Sequence, residues 1–200
     1  MIEGGATMTY EVQNYDALLG TPGFSDKALQ NHFKLYAGYV KNTNKVLEKL
    51  QALAKANDFG PEYAELKRRF GWEFNGMRLH ELHFGSMKNG GEKFDPESKI
   101  GKKIIEQFGS YENWLADFKA TGKMRGIGWV ILYYDQEADR LMNVWINEHE
   151  VGHPASIKPL VNCDMFEHAY MVDYMMDREP YLNAFLAALD WTIVEKRFAE

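Results

Sequence analysis

Asp164 and His168 stand four residues apart in NCDMFEHAYMVDY, residues 162–174, an otherwise apolar and aromatic run. A carboxylate taken out of water costs several kcal/mol unless a cation or a set of donors compensates it. Met165, Phe166, Ala169, Tyr170 and Met171 exclude water from the pair, so the carboxylate needs a partner, and a divalent or trivalent cation is one. The Asp-x-x-x-His spacing alone is common and also makes an ordinary helix-surface hydrogen bond. Five further histidines are available: His32, His80, His83, His149 and His153. Taken singly, each is more often a surface or satisfied core residue than a ligand. His32 and Tyr39 are seven apart and share a helix face; His80 and His83 are three apart on another helix, and either can face inward. Imidazole and carboxylate donors suit iron, manganese or zinc, while a single cysteine, Cys163, disfavours thiolate zinc sites and iron–sulfur clusters. The donor types point to a mononuclear metal site of three histidines and one aspartate.

Those residues come from distant stretches, so the elements between them must do the positioning. After the irregular GTPGF, Ser25 can cap a long helix through DKALQNHFKLYAGYVKNTNKVLEKLQALAKA, with a kink expected near Gly38. NDFGP is a break, and PEYAELKRRFGWEFNGMRLHELHFGSM reads as a second and a third helical stretch, with Pro61 in an allowed first-turn position. KNGGEKFDPESKIG has the composition of an exposed linker and marks a boundary between an N-terminal helical-hairpin lobe, residues 1–92, and a C-terminal α/β lobe, residues 93–200. Two short helices, KKIIEQF and SYENWLADFKATGK, lead into a β-hairpin around DQEAD. A third apolar run, IKPLVNCD, enters the Asp164 segment, and PYLNAFLAALDWTIVEKRF closes as one amphipathic helix. The fold class is α+β: the helical hairpin first, then a short antiparallel sheet flanked by helices, with the metal site between the lobes.

Composition excludes several roles. At 200 residues, with 46% hydrophobic and 14% aromatic residues, the chain can bury a sizeable core. A net charge of -6 with scattered Lys and Arg argues against a nucleic-acid partner. One cysteine allows no intrachain disulfide, the segment MIEGGATMTYEVQNYDALLG lacks a secretory pattern, and no run of eighteen apolar residues occurs. A soluble cytoplasmic protein without a membrane partner is expected.

DMFEHAYMVDY resembles the D-x-W-E-H-A-Y signature of the iron/manganese superoxide dismutase family. IEQFGSYENWLADFKATGKMRGIGWVIL, YVKNTN and YLNAFLAALDWTIVEKRF are similar to further family segments, in the family's order and over nearly the whole chain. The resemblance implies one Fe or Mn ion per subunit, held by His32, His80, Asp164 and His168 with a solvent molecule as fifth ligand. His83 replaces His80 if the count runs forward from Phe74 and Asn75. It also implies that His149 hydrogen-bonds the coordinated solvent, because the alternative helix position falls on Gly76. By the same resemblance Tyr39 guards the channel mouth, Trp129, Phe166 and Tyr170 line the site, and Glu167 reaches His168 of a neighbouring subunit. Lys34 and Arg178, with Arg78, stand at the entrance as cations that attract an anion. The activity implied is disproportionation of superoxide to oxygen and hydrogen peroxide by a homodimer or homotetramer. A same-fold metal-binding protein without turnover, or another non-haem iron oxidoreductase, is the alternative.

The chain departs from the family pattern at several points. Tyr39 follows His32 by seven residues where eight is usual, a difference that a missing helical bulge would reconcile. The histidine usual between them is replaced by Leu35 or Tyr36. Phe166 and Phe84 stand at tryptophan positions, and Met171 replaces a tyrosine.

Overall fold

The computed structural model describes residues 9–200; the first eight residues, which belong to the segment read for a secretory pattern and to the expected N-terminal lobe, lie outside the described part. Helix α1 spans Asp26–Lys55, and the Ser25 side chain accepts from the Ala28 N–H as its N-cap. The helix runs without a break through Gly38, where a Cβ would meet nothing within 4 Å. No bulge interrupts the stretch from His32 to Tyr39, and a seven-residue step in a regular helix returns both side chains to one face. Helix α2 spans Pro61–Phe84 with Pro61 in its first turn. The two stretches expected there are one helix that runs through Gly71 and Gly76, the latter against the Tyr39 ring.

Residues 88–98 carry no regular helix or strand. Ser98 caps α3, Lys99–Phe108, and Ser110 caps α4, Tyr111–Gly122. Strands β1, Gly128–Asp135, β2, Arg140–Asn147, and β3, Lys158–Asp164, form an antiparallel sheet in the order β2-β1-β3. β1 is central and buried on both faces: Val130 and Leu132 join the large core with α3, α4 and the C-terminal helices, whereas Trp129, Ile131 and Tyr133 pack with Leu79 of α2. A register irregularity at Leu132/Tyr133 falls opposite Pro159, which has no N–H to offer the ladder. The Asp164 run does not form one helix: Asp164 ends β3, and α5 covers Glu167–Tyr174.

The closing segment, expected as one helix, is two: α6, Arg178–Ala187, and α7, Trp191–Ala199. The break at residues 188–190 has a local cause, since the Asp190 carboxylate accepts from the Thr192 N–H and starts α7 anew. Lys88 N–H donates to the Ala188 carbonyl, and Glu92 N–H to that of Leu189, tying the linker to the same break. Among the described residues no helix is long and apolar enough to cross a membrane.

Candidate metal centre

Four elements deliver four donors to one point. His32 comes from α1, His80 from α2, Asp164 from the end of β3 and His168 from the first turn of α5. Their ligand-type atoms all lie within 4.8 Å of one another. The Asp164 Oδ2 lies 3.0 Å from His32 Nε2, 3.0 Å from His168 Nε2 and 3.4 Å from His80 Nε2. Its Oδ1 accepts from the Phe166 N–H at 2.9 Å, which orients the carboxylate. Asp164 and Trp129 are register partners on β3 and β1, so both side chains leave the sheet on the α2 side.

His80 shows what this cluster is suited to hold. Its Nδ1 lies 2.5 Å from the Gly76 carbonyl, which can only accept, so Nδ1 carries the proton. Burial, with His32 adding to it, pushes the imidazole well below its usual pKa, so the ring is neutral and Nε2 bears a bare lone pair. That Nε2 is buried and has no hydrogen-bond partner. It faces a carboxylate oxygen at 3.4 Å, an arrangement of two electron pairs that repels unless a cation lies between them. Burial would raise the Asp164 carboxyl; the charges and hydrogen bonds of His168 and His32 outweigh it and hold the group well below the usual carboxylate value. Donor pairs about 3.0 Å apart match two ligands at a right angle on bonds of roughly 2.1 Å, a length typical of imidazole on a small divalent ion. The donor set therefore fits one iron- or manganese-sized ion.

The surrounding side chains fix tautomers. The Trp129 indole N–H, a donor only, lies 3.1 Å from His149 Nδ1, so the His149 proton sits on Nε2. That N–H points to Tyr39 Oη at 2.7 Å. Burial lowers the His149 pKa to about 4 and raises that of Tyr39, so at neutral pH the pair is a neutral imidazole and an intact phenol. The Tyr39 ring stacks on His80 with centroids 5.2 Å apart and lies against the backbone of Gly76. Phe166 stacks on His149 at 4.6 Å and on His168 at 5.2 Å, filling the wall between them without a polar atom.

Not every expected residue converges. His83 is buried, but its Nδ1 faces the Asn162 carbonyl at 3.1 Å and its ring stacks on Phe185, outside the four-donor cluster. Lys34 is exposed and, two residues from His32, lies about 200° round α1, away from the face that carries the cluster. Arg78 pairs with Glu81 at 2.5 Å and covers Tyr10. Arg178 donates to the Tyr170 hydroxyl and to the carbonyls of Met124 and Gly126, and with the exposed Glu167 it lines an open cleft of about 680 Å³. Of Leu35 and Tyr36, the two residues set by the resemblance at the place of the absent histidine, Tyr36 is buried, and its hydroxyl donates to Glu81 at 2.9 Å and accepts the Gln13 N–H.

Sequence reasoning missed Trp72, Asn75 and His153. The Trp72 ring lies 4.9 Å from that of His149, and Asn75 Nδ2 donates to the His149 carbonyl. The only available signal was that Asn75 precedes His80 by five residues, and such a spacing carries no chemistry of its own.

The family model for iron/manganese superoxide dismutases, C-terminal domain, matches residues 96–197. An iron superoxide dismutase of Aquifex pyrophilus is 38% identical over 182 residues, covering 88% of this chain and 84% of the relative. A manganese superoxide dismutase of Haloferax volcanii is 33% identical over 199 residues, covering 96% and 97%. An iron superoxide dismutase of Cupriavidus metallidurans is 35% identical over 181 residues, covering 88% and 89%.

Proposed function

The chain belongs to the iron/manganese superoxide dismutase family, and from that premise we propose that it converts two superoxide anions and two protons to oxygen and hydrogen peroxide. The reading places one iron or manganese ion on His32, His80, Asp164 and His168, between an N-terminal lobe of residues 1–92 and a C-terminal lobe of residues 93–200. The observation that carries it is the unpartnered, buried lone pair of His80 Nε2 facing the Asp164 carboxylate. When bound, the ion supplies one-electron exchange with the substrate by alternating between its 3+ and 2+ states.

The protein's own groups handle protons and access. His149 Nε2–H donates to Tyr39 Oη, which leaves the phenolic proton free to be donated in another direction, toward an incoming anion. Because burial keeps Tyr39 protonated, it meets that anion as a donor and not as a second negative charge. Trp129, Phe166 and the Tyr39 ring exclude water from the ligands, which strengthens every electrostatic contact inside. Arg178 and Lys34 are the proposed steering cations; Lys34, off the cluster face, acts only through its long-range field.

A second copy of the chain is the proposed partner. Met171, Val172, Met175 and Met176, with Ile127 and Met124, are exposed apolar side chains in the two segments that border the cleft of Glu167 and Arg178, a patch that favours covering by another subunit. Residence in the cytoplasm fits the one cysteine, a buried free thiol.

The test is elemental analysis after loading iron and manganese separately, paired with a superoxide-consumption assay. One ion per chain with turnover is expected for at least one metal, and Asp164→Asn should abolish both. Bound metal without turnover overturns the dismutase reading in favour of a same-fold metal-binding protein.

A further inference from the structure

His149 stands at the apex of a tight turn that follows β2, closed at its base by an antiparallel bridge between Asn147 and Val151. The preceding residue, Glu148, has a φ of 54°, in the left-handed region, so the chain reverses sharply just before it. The bridge and the Glu148 N–H, which donates to the Ile127 carbonyl, fix the base of the turn, while the His149 ring and carbonyl at its apex are held by groups from outside it. The Trp129 indole holds the ring through Nδ1. The peptide plane is held at the His149 carbonyl by two donors from different directions: Asn75 Nδ2 of α2 at 2.9 Å, and His153 Nε2 at 2.9 Å.

His153 has both ring nitrogens committed. The His149 carbonyl can only accept, so His153 Nε2 bears the proton; in the neutral ring Nδ1 is then an acceptor, and the Tyr133 hydroxyl lies 2.7 Å from it. Tyr133 is buried in central strand β1, four residues along from Trp129 and on the same face. One strand therefore holds the His149 ring directly through Trp129 and holds its carbonyl indirectly through Tyr133 and His153. We infer that His153 is a positioning residue for His149, coupling the aim of the His149 Nε2–H on Tyr39 to β1. It touches neither Tyr39 nor the four donors.

The inference separates from a merely structural role by what can replace the imidazole. A glutamine offers an acceptor oxygen and a donor nitrogen at nearly the same separation as the two ring nitrogens, so His153→Gln preserves both bonds. His153→Leu removes both, leaving the His149 carbonyl with Asn75 alone. Partners of this kind typically change activity by about 10- to 100-fold when removed.

The experiment compares wild type, His153→Leu, His153→Gln and Tyr133→Phe by two readouts. The first is the indole N–H resonance of Trp129 in the metal-free protein, assigned with Trp129→Phe and followed by nitrogen-correlated NMR. The second is the dismutation rate per bound metal ion. We expect the Trp129 resonance to move upfield in His153→Leu, as its acceptor at His149 disengages, and to hold its place in His153→Gln. The rate should fall about tenfold in His153→Leu, less in Tyr133→Phe, and recover in His153→Gln. An unmoved Trp129 resonance in His153→Leu overturns the inference, as does an equal loss of rate in the Leu and Gln variants. The rate arm rests on the dismutase reading; the resonance arm does not, so a wild-type protein without turnover leaves the positioning claim to be decided by NMR.

Discussion

Gly76 is the position at which one added methyl group should cost activity more than stability. A Cβ there would lie 2.5, 2.7 and 2.9 Å from Cδ1, Cε1 and Cγ of the Tyr39 ring. Ordinary carbon–carbon contact is about 3.5–4.0 Å, so in Gly76→Ala the ring must retreat by roughly 1 Å. The hydroxyl at its far end is 2.7 Å from His149 Nε2, and a retreat of that size stretches the bond to the limit, about 3.5 Å, at which it ceases to count as one. Three terms set the stability change. Overpacking costs about 1–3 kcal/mol, the weakened hydrogen bond about 1 kcal/mol, and replacing glycine by alanine inside a helix returns about 1 kcal/mol, leaving a net loss of about 1–3 kcal/mol. The rate should suffer more, since a 1 Å misplacement of a proton-donating group can cost on the order of 100-fold. Gly38→Ala is the matched control on α1: its Cβ meets nothing within 4 Å, so it should stabilise by up to about 1 kcal/mol and leave the rate unchanged. Dismutation by stopped-flow and thermal unfolding of both metal-loaded variants make the comparison. A Gly76→Ala protein with the wild-type rate, or an equal loss in Gly38→Ala, would refute the claim that this glycine exists to seat Tyr39.

Metal-free protein should lose stability in acid. Burial lowers His83 to about 3, and a histidine that stays neutral in the fold but protonates when unfolded stabilises above its unfolded value of about 6.5 and loses that stability below it. This residue alone should contribute a loss of about 2 kcal/mol between pH 7 and pH 5; urea unfolding of His83→Gln should show a shallower slope, and an unchanged slope would exclude it as a source. The dismutation rate should fall as ionic strength rises from 10 to 150 mM, roughly, and Lys34→Gln should flatten that dependence without altering metal content; a salt-independent wild-type rate removes the steering claim. Replacing exposed Met175 and Met176 together by serine should shift the chain toward monomer in light scattering, whereas an unchanged mass would place the subunit contact elsewhere.

Much of the architecture was legible because its signals are local. Ser25 announces the start of α1 and accepts the Ala28 N–H, whereas Ser98, read as part of the linker, caps α3 and starts it at Lys99, three residues before KKIIEQF. DQEAD marks the hairpin, whose register pairs Asp135 with Arg140. The errors fall where tertiary packing overrides local preference. PEYAELKRRFGWEFNGMRLHELHFGSM read as two helical stretches, yet Pro61–Phe84 is one helix, with Gly76 inside it against the Tyr39 ring. Asp190 looked like one polar residue within a helix and instead starts a new one.

By itself the sequence determined the kinds of donor, the likeness to a family and the periodicities that put His32 with Tyr39 on one face. Only the tertiary structure decided that His80 joins the cluster while His83 turns to β3, that Trp129 sets the tautomer of His149, and that His153 reaches back to the His149 carbonyl. The physical reason is that spacing along a helix sets direction to within one face, whereas a lone pair or a proton is assigned by the partner it meets. Those partners arrive from α2, β1 and β3, segments far apart in the chain whose relative placement is a property of the packed core.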